Sequence, residues 1–417
     1  MGVTPKDWAV AKLGAMCAEV LDCHHSTPVW TKTGVVVIRN QNIRDGQLDL
    51  SDPSFTDEGH FAERTRRAVP TFGDLVITRE APMGLVCTIP AGLKCCLGQR
   101  MVLLRPNRDA AETRYLLYAL TSNEVQRSIS VAGGTGSTVS NLRIPALKEL
   151  QVLAPKLAEQ RAIAEALSDA DALLGGLDRL ITKKRDLKQA AMQQLLSGQI
   201  RLPGFTGEWA TRRLGNHVAF LRNGVNSRAE LQPEGRVKYI HYGDIHASSG
   251  VFIVPDSLPA LPATKAATLE RLRDGDLVFA DASEDVAGVS KSVELTNVGT
   301  AEVVAGQHTI AARFDRQVLS DGFKGYLQFC SPFAAHLRRL AAGTKVYATN
   351  RAHIASVEMG LPTVAEQSAI AAVLSDMDAD LAALEARRNK TRALKQAMMQ
   401  ELLTGRIRLV KTEPAHA

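Results

Sequence analysis

Asp281, Glu284 and Asp285 fall within one five-residue stretch. Acids grouped in this way can hold a divalent cation that activates water against a phosphodiester. A related stretch earlier in the chain, Glu80-Ala81-Pro82-Met83, lacks the grouping. That points away from a nuclease centre and toward a solvated loop or a base reader, since carboxylates accept from the cytosine amino group. His241, His246 and His308 follow no regular metal-ligand spacing, and no second ligand pair follows Cys17, Cys23, His24 and His25 at zinc spacing. The six cysteines contain no Cys-x-x-Cys pair and read as reduced, mostly buried thiols. Gly133-Gly134-Thr135-Gly136 follows a helical stretch, whereas a methyltransferase needs its glycine turn between a strand and a helix. There is no Asn/Asp-Pro-Pro-aromatic tetrad and no Gly-x-x-x-x-Gly-Lys-Ser/Thr phosphate loop. No catalytic residue and no metal ligand is assigned.

Length and composition set the frame. The 417 residues allow two to four domains with cores of their own. No run of about eighteen apolar residues is present to cross a bilayer, and the first residues carry no signal-peptide stretch. A cytoplasmic protein without a membrane partner is expected. The net charge of +6 is spread along the chain, which permits nucleic-acid binding through a folded surface without demonstrating it.

The strongest pattern is a repeat. Residues 155–202 return at 362–409 without a gap, with 28 of 48 positions identical. Pro155-Lys156-Leu157-Ala158-Glu159-Gln160 returns as Pro362-Thr363-Val364-Ala365-Glu366-Gln367. Within each copy, Ile163, Leu167, Ala170, Leu174, Leu177 and Ile181, and Ile370, Leu374, Met377, Leu381 and Leu384, alternate spacings of four and three, as in a coiled-coil seam. The same register brings Lys184 and Lys188, and Arg388 and Lys395, onto the seam, so a slip onto Leu187 and Leu394 is expected. Prolines precede and Gly198 and Gly405 follow these helices, each about 60 Å long at ~1.5 Å per residue. A narrow apolar stripe needs a partner, and the repeat itself is the nearest one. The two helices are expected to pack antiparallel, with a globular unit at each end.

The globular parts show short β-branched runs between turn residues: Val35–Ile38, Leu75–Thr78, 85–89 and 101–104 in the first, then 239–240, 277–279, 303–304 and 309–311 in the second. A helix is expected from Glu112 to Ile129 and from Gly325 to Leu340. Landmarks recur in order: Gly73-Asp74-Leu75-Val76 with Gly275-Asp276-Leu277-Val278, and Gly98-Gln99 with Gly306-Gln307.

The duplicated Pro-x-x-x-Glu-Gln-x-x-Ile-Ala…Leu-Ser-Asp…Leu-Lys-Gln-x-x-Met-Gln-x-Leu-Leu-Ser/Thr-Gly-x-Ile-Arg-Leu motif resembles the specificity subunit of Type I restriction–modification systems. The resemblance spans nearly the whole chain; the tandem short repeat that sets spacer length in some members is missing from residues 155–202. It implies an α+β fold: two globular mixed α/β target-recognition domains joined by two long antiparallel coiled-coil helices, with a pseudo-two-fold internal repeat. The corresponding boundaries are residues 1–153 for the first recognition domain, 154–205 for the central helix, 206–360 for the second domain, 361–410 for the C-terminal helix and 411–417 for a tail. The resemblance further implies a subunit without catalytic activity. It would read double-stranded DNA in two halves, one domain per half, and recruit two modification (methyltransferase) subunits through its helices. Restriction/translocase subunits complete such complexes. S-adenosylmethionine, ATP and Mg would be bound by the partner subunits and no cofactor by this chain. A stand-alone DNA-binding scaffold without modification subunits is the alternative.

Base reading calls for polar side chains on loops held by a rigid sheet. Three loop pairs qualify by matched position: Arg39, Asn40, Gln41, Asn42 and Arg44 with His241, Tyr242, Asp244 and His246; Thr78 and Arg79 with Ser283 and Glu284; and Ser137, Thr138 and Asn141 with Thr344, Lys345, Tyr347 and Asn350. Partner recruitment falls to the helix residues that recur, Lys183, Arg185, Lys188 and Gln189 as Lys390, Arg392, Lys395 and Gln396.

Overall fold

A computed structural model describes residues 5–80, 82–133, 141–341, 343 and 346–410. Its two long helices run Leu157–Leu195 and Val364–Leu402. Pro155 and Pro362 stand just before them, where a missing N–H costs nothing. Gly198 and Gly405 close them with φ of 71° and 72°, the left-handed conformation that glycine takes without strain. The chain divides into two compact units, residues 1–178 with 387–417, and residues 179–386. The division falls inside both helices, so each unit holds part of each.

In the first unit Asp171 pairs with Lys395 at 2.6 Å and Asp178 with Arg388 at 3.6 Å. One number rises as the other falls, so the helices are antiparallel. In the second unit Lys188 pairs with Asp378, and Lys184 with Asp380 at 2.9 Å. The expected slip of the seam does not occur. Leu187 and Leu394 are 50% and 59% exposed, while the Lys188 and Lys395 side chains are only 17% exposed. Each lysine stays on the seam because the opposite helix supplies a carboxylate there. That acid is held in turn by a tyrosine, Tyr326 Oη to Asp378 at 2.9 Å and Tyr118 Oη to Asp171 at 2.7 Å. The aliphatic stem of a lysine can line an apolar seam while its ammonium finds a partner.

The repeated Glu-Gln explains itself in the same way. Glu159 is buried and accepts from Trp8 Nε1 at 3.0 Å and from Arg408 Nη2 at 2.7 Å. Its counterpart Glu366 is fully buried and accepts from Arg201 Nη2 at 2.6 Å. Arg408 and Arg201 also lie 5.6 and 5.7 Å over the rings of Trp8 and Trp209. The neighbouring glutamines complete the backbone. Gln160 donates to Ala110 O and accepts from Glu112 N–H, while Gln367 donates to Val318 O and accepts from Ser320 N–H. Buried charge and amide groups without such partners would be costly.

Each globular part is built on the same sheets. The first has a four-stranded antiparallel sheet in the order Cys17–Asp22, Met101–Pro106, Leu75–Thr78, Val86–Thr88. A second sheet sets Val35–Ile38 between antiparallel Ser54–Thr56 and parallel Cys95–Leu97. The other unit repeats this with Val218–Leu221, Thr309–Phe314, Leu277–Ala280 and Ser292–Leu295, extended by Phe252–Ile253, and with Val237–Ile240 between Ala260–Leu261 and Glu302–Ala305. A two-strand ladder then leads into each long helix, Ala9–Lys12 with Gln151–Ala154 and Ala210–Arg213 with Glu358–Leu361.

Two expected helices are broken. Residues 112–129 form Thr113–Thr121 and Asn123–Ala132, because Ser122 turns extended (ψ 148°) and its Oγ caps Val125 N–H. Residues 325–340 form a 3-10 turn, Lys324–Phe329, and a helix, Ser331–Leu340, with extended Cys330 between them and Pro332 in the new first turn.

Leu167 and Leu374 occupy one repeat position and are fully buried, each in the core of its own unit. Either change to Ala should cost about 2–5 kcal/mol. Amide-exchange protection should fall in the unit that carries the substitution and hold in the other; loss in both would mean the units do not fold separately.

Glu294 is fully buried and accepts from the N–H groups of Gly322 (2.7 Å) and Gly325 (2.8 Å). Burial nevertheless pushes its carboxyl up from 4.5 to about 7. The folded state then keeps a proton that the unfolded chain gives up above pH 4.5. Its contribution is full at low pH and declines as pH rises to about 7, by on the order of 3 kcal/mol. Thr88, which faces Leu75 as Glu294 faces Leu277, does not titrate. Urea titrations should show the second unit losing stability across this window in the wild type, with the slope removed in Glu294→Gln. An unchanged slope in the variant would place the titration elsewhere.

Candidate nucleic-acid interface

In the second unit the strands deliver all three matched loops to one place. The backbone carbonyl of His241 and the carboxylate of Asp244 close the start of the helix Tyr242–Ala247, with His241 N–H donating to Asp244 Oδ2 at 2.9 Å. His241 is buried, and burial draws its imidazole below the usual histidine range. Tyr242 is 38% exposed, its ring centroid 4.5 Å from His241, 5.6 Å from His308 and 6.1 Å from His246. His246 Nε2 meets Ala282 O at 3.0 Å, which joins the first loop to the second. Ala282–Ser283 pairs with Tyr347–Ala348, which joins the second to the third. Ser283 is buried and Glu284 exposed, and Asn350 caps the helix Arg351–Ala355 through His353 N–H. Asp244 also holds Arg228 Nη2 at 2.6 Å. Thr344 and Lys345 lie outside the described residues.

The first unit places its candidates differently. Arg79 is only 12% exposed: Nη1 grips both oxygens of Asp22 at 2.9 and 2.8 Å, Nε donates to Leu142 O, and Nη2 to Asn141 Oδ1. It ties the second loop to the third from inside. Thr78 is buried and bridges Pro82 O and Leu85 N–H. Asn42 is buried and organises its own turn through Arg39 N–H and Asp49 O. Arg39 lies 5.1 Å over the ring of Trp30, which is 46% exposed. Gln41 and Arg44 are exposed, Arg44 at 3.4 Å from Asp49; Asn40 Oδ1 accepts from Gln41 N–H. Ser137 and Thr138 lie outside the described residues.

Sequence reasoning gave no DNA-facing role to two side chains at this junction, Arg100, which it did not name, and His308, which it weighed only as a metal ligand. Arg100 Nε stands 3.1 Å from Glu80 Oε2, and His308 Nδ1 stands 3.3 Å from Asp281 Oδ1. Both directly follow the Gly-Gln landmark, which was the available signal. The glycines there are required by space: a Cβ would come within 2.8 Å of Ile38 O at Gly98 and 2.5 Å of Ile240 O at Gly306.

The grouped acids do not converge. Asp285 Oδ1 caps Gly288 N–H at 2.6 Å, while Glu284 and Asp285 are exposed and Asp281 faces His308. All six cysteines are free and buried, and burial pushes the thiols of Cys17, Cys87, Cys95 and Cys330 up to about 12, far from nucleophilic range. On the long helices, Lys183, Gln189, Lys390, Arg392 and Gln396 are exposed, Arg185 is exposed and paired with Glu385, and Lys188 and Lys395 face the opposite helix.

Known proteins share this arrangement. Residues 5–183 match the family model of the Type I restriction modification DNA specificity domain. A Methanocaldococcus jannaschii protein bearing the name type I restriction enzyme MjaX specificity subunit is 23% identical over 99% of this chain and 96% of its own length. The MjaVIII specificity subunit of the same organism is 22% identical over 76% of each. The crystal structure of the Type-I restriction-modification system S subunit from M. genitalium superposes with a TM-score of 0.61 at 14% identity, covering 96% of this chain and 98% of that one. A chain from a study of complex assembly in the type I R-M system gives 0.57 at 17% identity, with 98% and 100% covered. Over residues 5–183 the chain thus matches the specificity-domain family, and along nearly all of its length it resembles proteins named as type I specificity subunits.

Proposed function

We propose that this chain is the non-catalytic subunit that chooses the DNA target of a Type I complex, each recognition unit reading one half of a bipartite double-stranded site. One observation carries the reading: the two units keep the same sheets, buried acids and helix contacts, yet differ at almost every loop position that could reach a base. A frame held constant beneath variable loops suits one task performed on two sequences. Methyl transfer with S-adenosylmethionine, and ATP-driven translocation and cleavage with Mg, then fall to partner subunits.

Two modification subunits would dock on the helix faces that recur. Lys183, Leu187 and Gln189 are exposed at the repeat positions of Lys390, Leu394 and Gln396. Lys188 and Lys395 are spoken for inside their units and serve the helix pair.

Replacing residues 206–360 by those of a homologous subunit should change one half of the methylated motif in the host and leave the other. Methylome sequencing reads this directly, and a change in both halves would refute independent reading. Leu187→Asp and Leu394→Asp should each weaken capture of one modification subunit by roughly tenfold or more, since burying a leucine is worth about 1.5–3 kcal/mol. The double variant should purify free of partner yet keep its fold by circular dichroism. Full retention of partner in the double variant would move the docking face elsewhere.

A further inference from the structure

Among the described residues, four besides glycine have positive φ, and two of them occupy one place in the two units. Arg100 (φ 67°) and His308 (φ 56°) each follow Gly-Gln and precede the long strands Met101–Pro106 and Thr309–Phe314. The other two, Asp45 and Asn297, have short polar side chains that tolerate the left-handed region. Arginine does not share that tolerance.

The backbone there is fixed from two sides. Gly98 N–H donates to Ile38 O and Gly306 N–H to Ile240 O, at 2.7 and 2.8 Å. Arg79 N–H donates to Arg100 O at 2.8 Å, and Asp281 N–H to His308 O at 3.1 Å. Such a turn is met with least strain by glycine. Both units instead keep a nitrogen-bearing side chain; histidine enters this region more readily, whereas the strain at Arg100 is of the kind that persists where the side chain is used.

Each side chain is presented to solvent, 58% exposed for Arg100 and 54% for His308, beside an acid from the second loop. Glu80 is itself held by Asn141 Nδ2 at 2.8 Å, and through Asn141 by Arg79. Asp281 Oδ1 is buried without a hydrogen bond and faces His308 Nδ1 alone. The His308 ring stands edge-on to Tyr242. A guanidinium carries five donors, so one contact with Glu80 does not exhaust it, and its fork matches O6 and N7 of guanine. An imidazole offers a single donor or acceptor at its outer nitrogen.

We infer that Arg100 and His308 are specificity-determining side chains at equivalent places in the two units, Arg100 reading a guanine in one half-site and His308 one base in the other. Glu80 and Asp281 are positioning residues that hold them ready. This rests on the proposed function.

The test uses the full chain assembled with its modification subunits and a pool of randomised duplexes, sequenced after selection. Wild type, Arg100→Gly, Arg100→Lys and His308→Gly are compared, each with its thermal midpoint. Glycine accepts the turn, so both glycine variants should melt at or above the wild-type temperature. Arg100→Gly should lose guanine preference at one position of one half by on the order of tenfold or more, with the other half intact. Arg100→Lys keeps the charge but not the fork, so it should lose that preference while retaining overall affinity. His308→Gly should relax one position in the opposite half. An unchanged motif, equal weakening on all sequences, or relaxation in both halves would overturn the inference. A wild-type complex that selects no bipartite sequence would instead bring down the proposed function, and this inference with it.

Discussion

A helix of 39 residues with a narrow apolar stripe draws most of its stability from packing that stripe, and the architecture follows from where the stripe is buried. Each unit solves the problem twice. Ile163 and Leu167, or Ile370 and Leu374, enter the core beneath the main sheet of the unit, and the remaining seam is closed by a segment of the other repeat. Where apolar residues run out, opposite charges take over: Lys188 with Asp378 and Lys395 with Asp171, each acid steadied by a tyrosine from the globular part. The seam thus joins the helix pair to the sheet behind it. Removing either charge would leave the other half-buried and unmatched, which is more damaging than never having had the pair.

Much of this was legible in the residues. The repeat predicted two helices with correct proline and glycine ends, and the β-branched runs coincide with strands of the main sheets. The seam slip was misread because periodicity counts a lysine as polar and cannot see the aspartate that another segment brings to it. The helices at 112–129 and 325–340 were read as continuous because their apolar spacing survives the break; Ser122 and Pro332 were the local signals.

The loops show a sharper limit. A sequence identifies polar residues between strands but not which of them the fold consumes. Arg79 looks like a base reader by type, yet Asp22, Leu142 O and Asn141 engage its guanidinium. Asn42 and Thr78 are likewise spent on their own turns. Arg100 and His308 were hidden for the opposite reason. The Gly-Gln landmark marks their place, but the left-handed backbone that sets them apart from ordinary turn residues is not written in residue type.

The two units also diverge in an instructive direction. The residue that opens the second loop is Arg79 in one and Asp281 in the other, and each donates its N–H to the carbonyl of the left-handed residue beside it. The backbone bond survives while the side-chain charge reverses. Because the main chain carries the geometry, the side chains at this junction are free to change without disturbing the sheets. Strands, glycines and buried acids answer to packing, and the exposed positions answer to whatever they touch.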